Sequence, residues 1–434
     1  MSDWPFLRNG KPPHICSGEG VYLYTQDGKE ILDAAAGAVA TSIGHGRTEV
    51  ADVIKESVLK LDYIIPPWNC DERQQLVERL RSSWLPDSFN RFHFTSGGSE
   101  AIESAMRIAV MYHSARDQRH KCKIIGRDIS YHGTTLGTIA LGGHEARKLG
   151  IEHVLPAFPK VITPYPLRCE SNDPTSYYLD AFRLVLEEEG PDTVAAIVGE
   201  PILGASGGAM VPPDGYWEGV REICHEHNIL WIADEVMTGF ARTGTKFGYQ
   251  HWDAEPDLIV SGKGLACGYA PINGVFSTDK VAEPIEQAPG YAVMFHTYGS
   301  HPSGCAAADK VLEILEREDL VNRARTLGET LETKLQSAFS NHPHVAECRG
   351  KGMLQAIEVV KNRSTLETYD LAENVTGKII NHSFQNGVHF YGAGTGVVRD
   401  VILIGPPLTI EEHHIDQMVG VLSDAVDAVT QTTN

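Results

Sequence analysis

The chain has 434 residues, 42% of them hydrophobic, which is enough for a large core and for two or three domains of about 100–200 residues each. Its 37 basic and 57 acidic side chains give a formal net charge of -20, and no cluster of lysines and arginines stands out. We therefore expect neither nucleic acid nor an anionic membrane surface as a partner.

Neither the N-terminus nor the cysteines indicate a secreted protein. The first residues lack the basic and apolar segments of a signal peptide, and no stretch approaches the roughly 20 apolar residues of a membrane span. The eight cysteines are scattered and include no Cys-x-x-Cys pair, which indicates neither a disulfide framework nor a metal site. We predict a cytoplasmic protein.

The N-terminal part of the chain predicts a β-hairpin at residues 19–33, where alternating apolar residues flank a Gln-Asp-Gly turn. A run of small residues follows at 34–46. It suits either close approach of the backbone to a ligand or subunit, or a merely tight loop. Apolar residues at helical spacing then predict helices from about residue 50 and over 76–85, with a break at 63–68.

Residues 92–109, FHFTSGGSEAIESAMRIA, predict a strand, a turn at Gly97-Gly98-Ser99 and then a helix. Such a turn presents unpaired backbone N–H groups at the positive end of the helix dipole, where anions bind. An ordinary capped helix fits the same residues equally well.

Apolar runs predict further strands near residues 123, 161 and 194. After the first of them, Tyr131 is suited to stacking on a flat ring or simply to packing, and His132 to an acid–base or a structural role. Glu200 follows the strand near residue 194 and places a carboxylate at its carboxyl end.

The stretch 229–268 contains two apolar runs, which end in Asp234-Glu235 and in Ser261-Gly262-Lys263. Such runs suit parallel strands whose carboxyl ends border a ligand crevice. A lysine and a carboxylate there suit pyridoxal phosphate, because the lysine forms an imine with the aldehyde and the carboxylate keeps the pyridine nitrogen protonated. Taken alone, however, a lysine after a strand is more often a solvated loop residue.

The order of elements predicts an α/β domain with a mainly parallel sheet, followed by an α+β unit after about residue 302. For this second unit we predict helices at 305–318, 320–340, 370–386 and from Glu411, a strand pair within 345–360, and strands near 388–391 and 400–404.

Six motifs, FTSGGSEA, SYHG, GEP, ADEVMTGFARTG, SGKG and HTYGSHP, resemble those of the class III aminotransferases in order and spacing. The resemblance extends from LYTQDGKEILD to GPPLTI, nearly the whole chain. It implies pyridoxal 5'-phosphate (PLP) as cofactor and the fold-type I architecture. In that architecture a large domain with a mainly parallel mixed sheet, flanked by helices, would span 61–305. A smaller α+β domain would form from both chain ends, 1–60 and 306–434.

The same resemblance implies roles around the cofactor. Lys263 would bind it covalently and shuttle the proton, Asp234 would pair with the pyridine nitrogen, and Tyr131 would stack on the ring. Val236 would pack behind the ring, and Glu200 would support the Asp234 region. The turn at Gly97, Gly98 and Ser99 would hold the phosphate, and His132 is a further cofactor-binding candidate. Thr297 would reach the phosphate of a neighbouring subunit, which implies a homodimer.

Departures from the family pattern narrow the substrate. Family members acting on ornithine or 4-aminobutyrate carry an arginine that grips a carboxylate where this chain has Leu403. Met237 and Ala205 also replace residues typical of those members. The missing clamp favours the amine:pyruvate (ω-transaminase) subgroup, which takes a primary amine and a keto acid.

Several residues are candidates for the substrate pocket. Arg399 is the nearest arginine that could bind the keto acid, although a surface role is about equally consistent. Val39, next to Ala38, aligns with a tryptophan that narrows the pocket in that subgroup, so we predict tolerance of bulky amines. Tyr63, Trp68 and Tyr131 complete the predicted pocket.

Other reactions on the same scaffold are open. A diamine or diaminononanoate-type transaminase is the main alternative, and a PLP-dependent decarboxylase or aminomutase a weaker one. A cofactor-binding protein without catalysis is a further alternative, against which Lys263 and Asp234 argue.

Overall fold

The computed structural model describes residues 12–292 and 294–432. Within them, seven strands form one large sheet and eight strands from the two ends of the chain form two four-stranded sheets. The strands are β1 (Ile15–Glu19), β2 (Tyr22–Thr25), β3 (Glu30–Asp33), β4 (Phe89–Thr95), β5 (Lys123–Arg127), β6 (Lys160–Val161), β7 (Val194–Gly199), β8 (Leu230–Glu235), β9 (Leu258–Ser261), β10 (Asn273–Thr278), β11 (Val345–Lys351), β12 (Leu354–Val359), β13 (Val388–His389), β14 (Tyr391–Thr395) and β15 (Val398–Ile404).

Helices cover the faces of these sheets. Helix α9 lies against α2 and α3, and α10 and α11 both lie against α12. The helices are α1 (Ala36–Val39), α2 (Thr48–Lys60), α3 (Asp71–Arg79), α4 (Gly98–Ala115), α5 (Leu136–Leu141), α6 (Pro174–Glu189), α7 (Tyr216–Glu226), α8 (Asp279–Gln287), α9 (Pro302–Arg317), α10 (Leu320–Phe339), α11 (Val375–Gln385) and α12 (Glu412–Thr432).

The large sheet has the strand order β4-β10-β9-β8-β7-β5-β6. Strands β6, β5, β7, β8 and β9 run parallel, and β10 is antiparallel to both of its neighbours. Every residue of β7 and β8 is buried, which explains their continuous apolar sequences. Because Glu235 pairs with Ser261, β8 and β9 end at the same level, and the residues that follow them meet at one edge of the sheet.

The predicted strands near residues 92, 123, 161, 194, 229 and 258 all occur, as does the hairpin, which is β2 and β3. Strand β10 was not predicted. Its first residues, Asn273-Gly274, have the composition of a turn, yet they pair with β4 on one side and β9 on the other. Tertiary pairing therefore overrides the local preference.

The smaller domain joins the two ends of the chain. Strand β13 pairs in parallel with β3, with Val388 opposite Leu32, and β11, β12, β15 and β14 form a second antiparallel sheet. These sheets confirm the expected α+β domain built from both ends. The boundaries placed at residues 60 and 305 remain a prediction.

The described parts of the chain contain no helix with the length and apolar character needed to cross a bilayer. Nor do residues 12–292 and 294–432 bring three or more His, Cys, Asp or Glu together where a metal ion could bind. All eight cysteines are free thiols.

Candidate active site

The carboxyl ends of β5, β7, β8 and β9 border a cavity of about 300 Å³, the position at which open α/β sheets bind ligands. A second cavity, about 400 Å³, lies between α4 and α8 but has no lysine among the described residues that line it. The first cavity is lined by Gly98, Ser99, Tyr131, His132, Gly133, Glu200, Ile202, Ala205, Asp234, Val236, Met237, Lys263 and Asn273.

Lys263 lies two residues beyond β9 and lines the cavity. Its backbone is in the left-handed region, with a φ of 33°, a strained conformation that is typical of functional positions. Burial lowers the pKa of its ammonium group to about 8, and the carboxylates of Asp234 and Glu200 oppose part of that shift. A neutral amine is therefore accessible near neutral pH, as a nucleophile or base requires.

This lowered pKa predicts the pH dependence of the cofactor-free protein. Modification of Lys263 by an amine-directed reagent should rise with pH around a midpoint of about 8, because only the neutral amine reacts. Asp234→Asn should move the midpoint lower, since the Asp234 carboxylate raises this pKa. Peptide mass spectrometry would follow Lys263 alongside the exposed Lys246 as control, and equal midpoints for the two lysines would contradict the prediction.

Asp234 is the penultimate residue of β8 and is almost fully buried. Its Oδ2 lies 2.7 Å from Nδ1 of His132, and its Oδ1 accepts a hydrogen bond from the N–H of Val236 at 3.1 Å. Because a carboxylate only accepts, the proton between them belongs to Nδ1 of His132. The other ring nitrogen of His132, Nε2, is buried without a hydrogen-bond partner in the described part of the chain. His132 therefore orients Asp234 through Nδ1 alone.

Glu200 holds two walls of the cavity. Its Oε1 accepts the N–H of Tyr131 at 3.1 Å and its Oε2 accepts the N–H of Gly204 at 2.7 Å. Burial raises the pKa of this carboxyl group. Since both oxygens bind backbone groups, Glu200 fixes the loop that carries Tyr131 and the turn that starts at Gly204.

The start of α4 forms an anion site beside these groups. Gly97 is the N-cap and supplies no side-chain hydrogen bond, so the first N–H groups of this 18-residue helix are available to a ligand. A Cβ added to Gly97 would meet nothing within 4 Å, which shows open space there. Ser99 Oγ accepts the N–H of Thr134 at 3.0 Å and joins the site to the loop of Tyr131.

Two residues near the site were missed by the sequence reasoning. Asn273 lines the cavity but begins the unpredicted strand β10, and a Cβ on Gly262 would clash with its Oδ1. The guanidinium of Arg147 lies 4.8 Å from the centre of the Tyr131 ring. Its loop carries no local signal that could have placed it there.

Of the residues predicted for the substrate pocket, Tyr131 lines the cavity of this chain and the others do not. Val39 and Leu403 are buried together in an apolar cluster that also contains Ile202, whereas Ala38 is exposed. Arg399 donates a hydrogen bond from Nη2 to Thr368 Oγ1 at 2.5 Å. The substrate roles of Ala38, Val39, Tyr63, Trp68, Arg399 and Leu403 therefore remain predictions.

Comparison with known proteins gives the family. A sequence model of the family Aminotransferase class-III matches residues 8–426. Putrescine–pyruvate aminotransferase of Pseudomonas aeruginosa is 33% identical, covering 98% of this chain and 93% of that protein. Taurine–pyruvate aminotransferase of Bilophila wadsworthia is 33% identical, covering 98% and 94%. Diaminobutyrate–2-oxoglutarate transaminase of Halomonas elongata is 32% identical, covering 96% and 90%.

Solved structures agree with this assignment. The ω-transaminase of Pseudomonas jessenii in complex with PMP has a TM-score of 0.91 at 30% identity, covering 97% of this chain and 94% of that one. A thermostable ω-transaminase variant with one tryptophan replaced by glycine, engineered for synthesis of enantiopure bulky amines, has a TM-score of 0.92 at 30% identity, covering 98% and 95%. The chain belongs to the class III aminotransferases, with the fold-type I architecture and PLP as cofactor.

The residues of the cavity fit this cofactor. An amine at Lys263, a buried carboxylate at Asp234 and an uncapped helix N-terminus at Gly97 match its aldehyde, its pyridine nitrogen and its phosphate. Tyr131 supplies an aromatic wall for the flat ring.

Proposed function

We propose that this aminotransferase is an ω-transaminase, which moves the amino group of a primary amine to a keto acid such as pyruvate in a ping-pong cycle. The observation that carries the proposal is the apolar side of the cavity, where Ile202, Ala205 and Met237 face the site and Lys263 is the only lysine or arginine among the described lining residues. An amine donor without a carboxylate needs no further cation, whereas a clamped amino acid does. The keto acid does carry a carboxylate, and we propose that Arg399, outside this lining, binds it.

Each residue then has a defined task. When bound, PLP supplies the electron sink that stabilises the amine carbon after it loses a proton. Lys263 Nζ holds the cofactor and, once free, moves that proton as a neutral amine. Asp234 keeps a proton on the pyridine nitrogen, and His132 orients Asp234. Tyr131 and Val236 border the ring space and exclude water, and the turn at Gly97, Gly98 and Ser99 binds the phosphate.

The related proteins support this substrate class. Two of them are named for pyruvate as acceptor, with putrescine and taurine as donors, and one solved variant was engineered for bulky amines. A transaminase of diamines is the alternative, since putrescine is a diamine and a third relative is named for diaminobutyrate with 2-oxoglutarate. Decarboxylation and aminomutase chemistry are the weaker alternatives.

One experiment separates these reactions. The holoenzyme is mixed with a panel of monoamines, diamines and amino acids while the visible absorption band of the cofactor is followed. We expect monoamines to bleach the band, and pyruvate to restore it with formation of alanine. Recovery with 2-oxoglutarate alone, carbon dioxide release, or no bleaching by any amine would contradict the proposal.

We further propose that Val39 sets the size limit for the amine. It packs beside Gly405, where an added Cβ would lie 3.1 Å from Val39 Cγ1, and it shares an apolar cluster with Ile202 of the cavity wall. Val39→Trp should lower kcat/KM for a bulky amine relative to a small one by about tenfold, a change within the range of apolar pocket discrimination.

Thermal unfolding must accompany that measurement, because a larger side chain in a packed site costs about 1–3 kcal/mol. Val39→Ile adds one methylene group and should shift the ratio in the same direction by less. An unchanged ratio in folded Val39→Trp holoenzyme would show that Val39 does not limit the amine.

We also propose a cytoplasmic homodimer in which Thr297 of the partner subunit reaches the phosphate site. Thr297 is exposed and lies outside the cavity of its own chain. Two large aromatic side chains, Trp68 and Tyr298, are 64% and 65% exposed, and we propose that the partner subunit covers them. Arg73 joins their two segments, because it donates hydrogen bonds to the carbonyls of Trp68 and Ser300. A monomer in sedimentation equilibrium, or recovery outside the cytosolic fraction, would contradict this.

A further inference from the structure

The turn at residues 204–209 belongs to the large domain and supplies Ala205 to the cavity wall. Its backbone is left-handed at Gly208, with a φ of 60°, and at Ala209, with a φ of 51°. A Cβ on Gly208 would clash with Val401 of β15. The turn therefore packs directly on the small domain, and its conformation tolerates little change.

Arg349 holds this turn from β11 of the small domain. Its Nε donates to the carbonyl oxygen of Gly208 at 2.9 Å and its Nη2 to that of Gly207 at 2.7 Å. Its Nη1 donates to Glu358 at 2.6 Å and to Glu347 at 2.9 Å. A planar guanidinium bound on three sides has one orientation, and so it fixes two successive carbonyl groups of the turn.

Glu358 fixes Arg349 in turn. It is buried on β12 and also accepts hydrogen bonds from Nη2 of Arg168 at 3.1 Å and from the hydroxyl of Tyr165. A buried ion pair contributes little net stability, because desolvation offsets the attraction, but it specifies geometry when all of its groups are paired. We therefore expect the ion pair between Arg349 and Glu358 to fix the position of the turn more than it stabilises the fold.

Two further hydrogen bonds restrain the backbone around Ala205. The N–H of Gly394 on β14 donates to the carbonyl oxygen of Ala205 at 2.7 Å, and the N–H of Gly204 donates to Glu200. A Cβ on Gly204 would clash with Met237 Sδ, and Met237 lines the same wall. Because residues 207–208 and Ala205 belong to the same short turn, we expect a displacement of residues 207–208 to move Ala205, which lines the cavity.

We propose that Arg349, which does not line the cavity, is a positioning residue that sets the place of Ala205 and thereby the selectivity of the enzyme between bulky and small amines. The inference rests on the proposed function only in taking the wall at Ala205 as the surface that the amine contacts. The small domain, through Arg349 on β11, would then control the selectivity between bulky and small amines.

The test compares Arg349→Lys with Arg168→Lys in the holoenzyme. Lysine keeps the charge but replaces the planar fork by a single ammonium group, which should not hold the carbonyl groups of Gly207 and Gly208 in the same geometry as the guanidinium, so the wall should loosen. We expect kcat/KM for 1-phenylethylamine relative to isopropylamine to rise about fivefold, mainly through KM, with cofactor absorbance and the pyruvate half-reaction unchanged. Arg168 touches Glu358 but not the turn, so Arg168→Lys should lower thermal stability and leave the ratio as in the wild type.

Equal loss of activity on both amines in Arg349→Lys, or a ratio shift of the same size in Arg168→Lys, would overturn the inference. If Arg349→Lys does not fold, Glu347→Ala decides, because it removes one acceptor of Arg349 at a partly exposed position. A smaller shift in the same direction supports the inference and an unchanged ratio overturns it. Should the wild type reject both amines, the proposed function fails, and the same ratio is measured with a large and a small donor that it accepts.

Discussion

Lys263→Ala should lower the rate of the amine half-reaction by about 10²–10⁴-fold, the range that a positioned acid–base group contributes. The substitution removes the only amine of the cavity lining. The uncapped N-terminus of α4, Asp234 and the Tyr131 ring remain, so the variant should still retain cofactor without a covalent bond. The loss should appear in kcat far more than in cofactor content.

Single-turnover absorbance measurements with a reactive amine would test this, with cofactor content read after gel filtration. Lys246→Ala is the matched control, since Lys246 lies exposed on the same stretch of chain, and it should keep the wild-type rate. A Lys263→Ala variant within tenfold of that control would show that another group moves the proton.

Asp234→Asn should lower kcat by about 10²–10³-fold, the size of effect seen when one preorganised electrostatic partner is removed. Asparagine keeps the shape and still accepts the hydrogen bond from His132 Nδ1, but it carries no charge to hold a proton on the pyridine nitrogen. His132→Asn should cost less, because Asp234 keeps its bond to the N–H of Val236. In the double variant the two effects should be less than additive, since both act through one carboxylate.

Glu235 offers a control one residue away. It is fully buried, its pKa is raised to about 7 by burial, and it binds Thr238, Gly248 and Tyr249 instead of facing the cavity. Glu235→Gln should lower the midpoint of thermal unfolding while folded holoenzyme keeps its kcat. A similar drop in kcat for both carboxylates would mean that Asp234 has no special electrostatic role.

The parallel strands of the large sheet were predictable because their information is local. Buried parallel strands are continuous apolar runs, and the polar residues at or just beyond their ends, such as Glu200, Asp234 and Lys263, meet at one edge once the strands are aligned. The turn at Gly97-Gly98-Ser99 and its helix were predictable for the same reason, since they are adjacent in sequence, whereas phosphate binding at this turn remains a proposal.

The contacts that shape the substrate wall were not predictable. Arg349 binds carbonyl groups of residues more than 140 positions earlier, and no pattern around it distinguishes it from a surface arginine. Val39 and Leu403 were predicted from the resemblance to the family, but only the fold shows that they share an apolar cluster with Ile202. These contacts join residues that are distant in sequence, and one sequence does not reveal such pairs.

The parallel pairing of β13 with β3 bears on how the enzyme is made. Strand β3 leaves the ribosome early, yet its partner at residues 388–389 emerges when more than four-fifths of the chain has been synthesised. The large domain contains all the lining residues of the cavity and can form before this point, since domains generally fold as units during synthesis. The contacts of β14 and β15 with the turn at residues 204–209 can therefore form only after the residues that line the cavity have been synthesised.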